Sequence, residues 1–390
     1  MSGQSLLFYV QHLLGIGHLA RASRISEALA ADGYDVTMVT GGLPVKGFPP
    51  ASIHHIALPP VVSSDAGFSG LADDQGAPVD EAFKDNRCNK LLSVFQELKP
   101  DIVLIEAFPF GRRQMRFELL PLLETMQATN PRPRIYASVR DILQARAKPG
   151  RDEESVALLK KWFDGVLVHG HPDFIRLDET FPLAGSIPDK IIYTGLVAAG
   201  SDAVTRQQVG SYDIVVSAGG GAVGADLVEA AAGAALRLPQ SLRWCLIAGP
   251  NMPQADYDRI GQAVRSNVEL HRFRQDFRDL LKSAELSVSQ AGYNTVGDVL
   301  QAGCRSIVVP FTSGGETEQD VRADRLVKRG LARSIDEREL TADKLADEIG
   351  AALAMPKPTG HGIDLDGASR TAAILRPGGL VHAIKPSRSA

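Results

Sequence analysis

Cysteine is scarce here: Cys88, Cys245 and Cys304 are the three in 390 residues. They are odd in number and show neither a CxxC pair nor metal-ligand spacing, which argues against a disulfide framework and for a reducing compartment. An excess of one charge sign is also missing. Lys and Arg total 42 against 46 Asp and Glu, a formal net charge of -4, so no overall field draws the chain toward nucleic acid. No run of about 18 apolar residues exists, which argues against a membrane-spanning helix and leaves peripheral attachment at the inner face of a membrane open. The opening MSGQSLLFYVQHLLG lacks the basic n-region of a secretory signal and reads as the first strand of a cytoplasmic protein.

With 44% hydrophobic and 23% charged residues, the composition is that of a soluble chain long enough for two separate cores. In the first half, short apolar runs at 6–10, 36–40, 53–58, 102–105, 135–139, 166–168 and 191–193 alternate with segments of helical period. This is the pattern of βαβ units in a parallel α/β sheet. The stretch 59–78, rich in Gly, Ser, Asp and Pro, is expected to be a long loop placed to cover an acceptor. Residues 196–212 lack periodicity and are assigned as an interdomain linker. The expected division is a domain at 1–195, this linker, a second domain at 213–362, and a helix with a frayed tail at 363–390.

The second half repeats the architecture. A strand at 214–217 opens the Gly-rich turn 219–224 before a helix, and a strand at 286–289 stops at Gly292 before another. Small residues at such turns let a ligand approach the backbone. The free N–H groups and positive dipole end of the following helix suit a phosphate. Asn294 and Thr295 sit where their side chains add hydrogen bonds, and Asp298, one turn on, suits the paired hydroxyls of a ribose. After the strand at 306–310, a Gly-rich loop carries Glu316, Glu318 and Gln319, acceptors of the kind that hold sugar hydroxyls. Asp256-Tyr257-Asp258 and Asp364-Leu365-Asp366 follow no strand that would set them beside a nucleotide, so no catalytic metal and no cofactor is expected.

The order Gly-aromatic-Asn-Thr at 292–295, the acid Asp298, the Pro-ended strand and the acid-Gln pair Glu318-Gln319 resemble the donor signature of GT-B nucleotide-sugar glycosyltransferases. Within that group the resemblance is to the bacterial MurG-like branch, with its family 28-type C-terminal domain. The chain departs from that signature at Gln290, where the branch often has His, and at Asp298, where it usually has Glu. The resemblance implies two Rossmann-like domains facing a cleft, and a sugar moved from a nucleoside diphosphate, with UDP expected, to an acceptor small molecule or glycolipid. It assigns the diphosphate to Gly17, Gly219, Gly220, Ser289, Gly292, Asn294 and Thr295, the base and ribose to Phe273, Arg274 and Asp298, and the donor sugar to Glu316, Glu318 and Gln319.

The resemblance also singles out His18, in the turn Gly15-Ile16-Gly17-His18 after the first strand, as general base. An imidazole titrating near neutrality suits removal of a proton from an acceptor hydroxyl. The same turn is not a dinucleotide fingerprint, because Ala20 occupies the place of the third glycine. Glu106, ending the apolar strand 102–105, would emerge on the same sheet edge and orient His18; Asp141 is the second candidate. Arg112, Arg113 and Arg116 are expected on a solvated helix face, the alternative being contact with an anionic acceptor or lipid headgroup. A nucleotide-sugar hydrolase or epimerase, and a nucleotide-sugar-binding protein without turnover, share the same fold-level expectation.

Overall fold

A computed structural model describes residues 3–13, 16–63, 70–144, 149–198, 211–219, 224–312 and 316–387. The chain forms two compact units, Met1–Val197 with Asp364–Ala390, and Ala198–Ile363. In the first, β1 (Ser5–Val10), α1 (Gly17–Ala31), β2 (Asp35–Thr40) and β3 (His54–Ala57) are followed by the short pair β4 (Val62–Ser63) and β5 (Leu71–Ala72). Then come α2 (Glu81–Leu98), β6 (Ile102–Glu106), α3 (Arg116–Ala128), β7 (Arg134–Arg140), α4 (Arg151–Trp162), β8 (Gly165–His169) and β9 (Ile191–Tyr193). The second holds β10 (Ile214–Ser217), α5 (Ala225–Ala235), β11 (Trp244–Ile247), α6 (Gln254–Ala263), β12 (Val268–His271), α7 (Phe277–Ser283) and β13 (Leu286–Ser289). It closes with α8 (Tyr293–Ala302), β14 (Arg305–Val308), α9 (Glu318–Lys328), β15 (Arg333–Ser334) and α10 (Ala342–Ala354), after which α11 (Gly367–Leu375) returns to the first unit.

Both large sheets are parallel, in the orders β3-β2-β1-β6-β7-β8-β9 and β12-β11-β10-β13-β14-β15. Strand order therefore reverses between β1 and β6 in one and between β10 and β13 in the other. In open α/β sheets the carboxyl ends of the strands at such a reversal diverge and leave a crevice. The apolar runs of β6 and β8 are buried along their whole length, as strands covered by helices on both faces must be. Helix α11 packs on α1: Tyr34 donates to Ala372 O at 3.2 Å, and Arg376 pairs with Asp32.

Two segments differ from the sequence expectation. Within the 59–78 stretch, β4 and β5 form an antiparallel pair, and Asp73 caps its own turn by accepting from Gln75 N and Ala77 N; residues 64–69 lie outside the described residues. Glu318 and Gln319 open helix α9 rather than sitting in a loop, because Val321, Arg322 and Leu326 continue a helical period from them. Of the expected linker, 199–210 lies outside the described residues.

One buried ion pair organises the loops above the first sheet. Arg87 of α2 and Glu118 of α3 are both fully buried and meet at 2.7 Å, and Tyr9 also donates to Glu118. The same guanidinium donates to Gln11 Oε1 at 2.6 Å, to Gly41 O at 3.0 Å and to Pro59 O, so it ties together the chain leaving β1, β2 and β3. A Cβ on Gly41 would collide with Arg87 Nη2, so glycine is needed for this approach. Removing one partner strands a buried charge, and Glu118→Ala is expected to destabilise the first unit by about 3 kcal/mol or more. Urea unfolding followed by the fluorescence of Trp162, which lies in that unit, checks this; a loss under about 1 kcal/mol would mean that the pair contributes little.

Candidate active site

The crevice between β1 and β6 is where the first unit collects its chemistry. Glu106 ends β6 with a fully buried carboxylate. His18, in the first turn of α1, brings Nδ1 to 2.9 Å from Glu106 Oε1. Arg21 lies one helical turn beyond His18, so it shares that face and also donates to Oε1. Ser138 of β7, directly opposite Glu106 in the ladder, donates to Oε2 at 2.6 Å.

A buried carboxylate would normally hold its proton; here Arg21, with the bonds from His18 and Ser138, overrides that burial and keeps Glu106 well below the usual range. An ionised carboxylate accepts hydrogen bonds but cannot donate them, so the His18 proton sits on Nδ1. Nε2 is then the basic nitrogen, and it makes no hydrogen bond among the described residues. Burial, then the neighbouring Arg112, pushes His18 down to about 4 from its ordinary 6.5, although 22% of its side chain remains accessible. The imidazole is therefore neutral across the physiological range.

The loop after Glu106 carries two non-glycine residues in the left-handed region, Ala107 at φ 65° and Arg112 at φ 59°. Each costs on the order of 1 kcal/mol, so the surrounding structure must impose them. The result is to turn Arg112 inward, where Nε donates to Gln11 O at 2.7 Å and burial holds the guanidinium down to about 10. Arg112 is thus not on the solvated face expected for it, whereas Arg113 and Arg116 stay half-buried as a pair sharing Glu154. Asp141, the alternative partner for His18, accepts from its neighbour Ile142 N at 2.9 Å.

The second unit presents the crevice between β10 and β13. Ser217 and Ser289, paired in register, end these strands. Gly219 follows at φ 75°, and a side chain there would press on Gln290 Oε1, 3.3 Å from the place of its Cβ. Gly292 caps α8, whose first turn carries Asn294 and Thr295 and whose second carries the buried Asp298. Gly220 lies outside the described residues, and Gly17 belongs to the first unit beside His18.

The acceptor side chains after β14 are already engaged. Glu318 receives the fully buried Arg322 at 2.7 Å, Glu316 accepts from Glu318 N at 2.9 Å, and Gln319 Oε1 accepts from Phe311 N at 3.1 Å. Arg322 also donates to Ala291 O at 2.8 Å, which fastens the start of α9 to the turn before α8. Phe273, beyond β12, is 64% exposed, while Arg274 next to it is held by Asp276 at 2.7 Å.

Reading the sequence missed Arg21, Ser138, His169 and Arg322. Helical spacing from His18 would have found Arg21. Helical spacing from Glu318 would likewise have found Arg322, four residues on. Ser138 and His169 are isolated polar residues whose partners lie far away in the chain.

Residues 214–359 match the glycosyltransferase family 28 C-terminal domain. Among curated proteins, the UDP-N-acetylglucosamine--N-acetylmuramyl-(pentapeptide) pyrophosphoryl-undecaprenol N-acetylglucosamine transferase of Vibrio atlanticus is 37% identical over 26% of this chain and 29% of its own length. The same-named protein of Paraburkholderia xenovorans is 27% identical over 67% of this chain and 64% of its own. The matches thus span less than two thirds of either relative. Among solved structures, MurG of Acinetobacter baumannii superposes with a TM-score of 0.57 at 15% identity, covering 97% of both chains, which shows a shared fold. By the sequence of its second unit and by its fold over nearly its whole length, this protein is similar to the MurG-like glycosyltransferases of the GT-B fold.

Proposed function

We propose that the protein is a glycosyltransferase that moves a sugar from a nucleoside diphosphate, UDP being the expected nucleotide, to the hydroxyl of an acceptor. The single observation that carries this reading is His18 Nδ1 held 2.9 Å from the fully buried carboxylate of Glu106, with Nε2 making no hydrogen bond among the described residues. As the new bond forms between the acceptor oxygen and the anomeric carbon, His18 Nε2 takes the hydroxyl proton. The bond from that carbon to the diphosphate oxygen breaks with its electron pair leaving on the diphosphate. Glu106 stabilises the imidazolium so formed.

The second unit is the donor side in this reading. The turns at Gly219 and Gly292, the N-terminus of α8, Ser289, Asn294 and Thr295 would take up the charge growing on the diphosphate. Asp298 would accept from the ribose hydroxyls, and the exposed Phe273 offers a ring face to the base. Because the Glu318 carboxylate is occupied by Arg322, we assign Glu318 and Gln319 to shaping the sugar pocket as much as to direct contact with the sugar. The acceptor is expected to be a small molecule or a glycolipid. Among the described residues no helix is long and apolar enough to cross a membrane.

Two outcomes test this. A nucleotide that binds the native state raises the apparent melting temperature by mass action. UDP or a UDP-sugar is therefore expected to stabilise the protein, and Asp298→Ala to abolish the shift; no shift with any nucleotide at millimolar concentration would sink the donor site.

Proton removal needs neutral His18, so kcat/KM should be level from neutrality down to about pH 5 and fall as pH approaches 4. His18→Ala should lower kcat by roughly 100- to 10,000-fold. Since His18 and the buried His169 titrate near 4 and 3 when folded but near 6.5 when unfolded, the unfolded chain binds more protons below pH 6.5. Stability is then fully present above that pH and declines on acidification. An acid limb near 6.5 that disappears in His18→Ala would contradict the assigned protonation state.

A further inference from the structure

Behind Glu106, three more buried polar residues continue a row across the carboxyl edge of the first sheet. Ser138 Oγ lies 2.9 Å from His169 Nε2, and His169 Nδ1 lies 2.9 Å from Thr194 Oγ1. The sheet explains the alignment. Glu106 faces Ser138 across the β6–β7 ladder, His169 pairs with Arg140 two residues beyond Ser138, and Thr194 directly follows β9, whose last residue pairs with Val168. Side chains of adjacent strands at these levels share one face. Ser138, His169 and Thr194 are fully buried.

Proton counting gives the row a direction. Ser138 has one hydroxyl proton, and Glu106, being ionised, can only accept it. The Ser138 oxygen must then receive a proton from His169, which places that proton on Nε2. His169 is neutral, pushed down to about 3 by burial and then by Arg21, so its Nδ1 is a bare lone pair that accepts from Thr194. Thr194 also has Gly195 O at 3.1 Å and Val168 O at 3.4 Å, but the 2.9 Å contact to Nδ1 is the one that a neutral imidazole protonated on Nε2 requires. Every proton thus points toward Glu106, from Thr194 through His169 and Ser138 on one oxygen, and from His18 and Arg21 on the other.

We propose that Thr194, His169 and Ser138 form a one-way donor relay that positions the Glu106 carboxylate and, through it, fixes His18 in the tautomer with Nε2 free to accept the acceptor proton. The three are positioning residues, and their part in transfer rests on the reading of His18 as general base. The relay is needed because Oε1 alone is shared by two donors, Arg21 and His18, that could rotate the carboxylate between them. A donor fixed on Oε2 removes that freedom.

The test combines the tautomer with the rate. In protein labelled with 15N at histidine, the ring-nitrogen shifts at neutral pH report which nitrogen of His18 carries the proton, whatever reaction the protein performs. Ser138→Ala and His169→Leu are expected to convert His18 from a single Nδ1–H form to a mixture. They should also lower kcat for sugar transfer, by less than the roughly 100- to 10,000-fold expected for loss of His18 itself, with the donor KM unchanged. His169→Gln keeps an N–H near the Nε2 position and should retain both tautomer and rate. The isosteric Thr194→Val, at the far end of the row, should reproduce the mixture should a larger change disturb folding.

A His18 tautomer unchanged in both Ser138→Ala and Thr194→Val overturns the relay, as does equal loss in His169→Gln and His169→Leu. A shifted tautomer with full transfer activity, in a protein whose His18→Ala variant is equally active, overturns the general-base reading and leaves the relay's hold on the imidazole standing.

Discussion

The chemistry of the first unit depends on one charge, the ionised carboxylate of Glu106 at the end of a fully buried strand. An isolated carboxylate in that place would protonate, since burial penalises its charged form. It stays ionised because donors converge on both oxygens: Arg21 and His18 from a helix on one side, and Ser138 from the neighbouring strand on the other. The site's other properties follow. The carboxylate claims the His18 proton at Nδ1, which leaves Nε2 basic, while burial, then Arg112 and to a smaller extent Arg21, keeps the ring from charging.

That convergence is a consequence of sheet topology. Strand order in the first sheet reverses between β1 and β6, so the segments leaving these two strands diverge, and their carboxyl ends open to side chains from α1. The second sheet reverses between β10 and β13 and brings Ser217, Gly219 and the Ser289-to-Gly292 turn to one edge. Each unit uses its reversal differently. The first fills it with titratable groups; the second fills it with small residues and a helix N-terminus, a surface suited to an anion.

Buried arginines do the mechanical work in both units. Arg87 gathers the chain leaving three successive strands, and Arg322 joins the start of α9 to the turn before α8. In each case a carboxylate neutralises the guanidinium inside the protein, Glu118 for one and Glu318 for the other. Such pairs add little net stability over a packed apolar core. Their planar, multi-donor geometry lets one side chain hold backbone carbonyls of several loops at once.

The alternating architecture was legible in the sequence because each element writes its own period locally. The apolar run at 102–105 and the strand-turn-helix at 286–303 needed no distant partner to be read. His18 and Glu106 could be singled out for the same reason, each ending or following a recognisable element. Tertiary structure alone decided what surrounds them. That Ser138, His169 and Thr194 stand in line with Glu106 is set by the register of four strands spread over about ninety residues. That Arg112 reaches Gln11 O while Arg113 pairs with Glu154 is set by a left-handed backbone that no local propensity favours. That Arg322, one helical turn from its partner Glu318, is buried and reaches Ala291 O is set by how α9 meets the turn before α8. Hydrophobic period is a property of neighbours in the chain, whereas the partner of a buried polar group is chosen by packing between segments that the chain brings together only on folding.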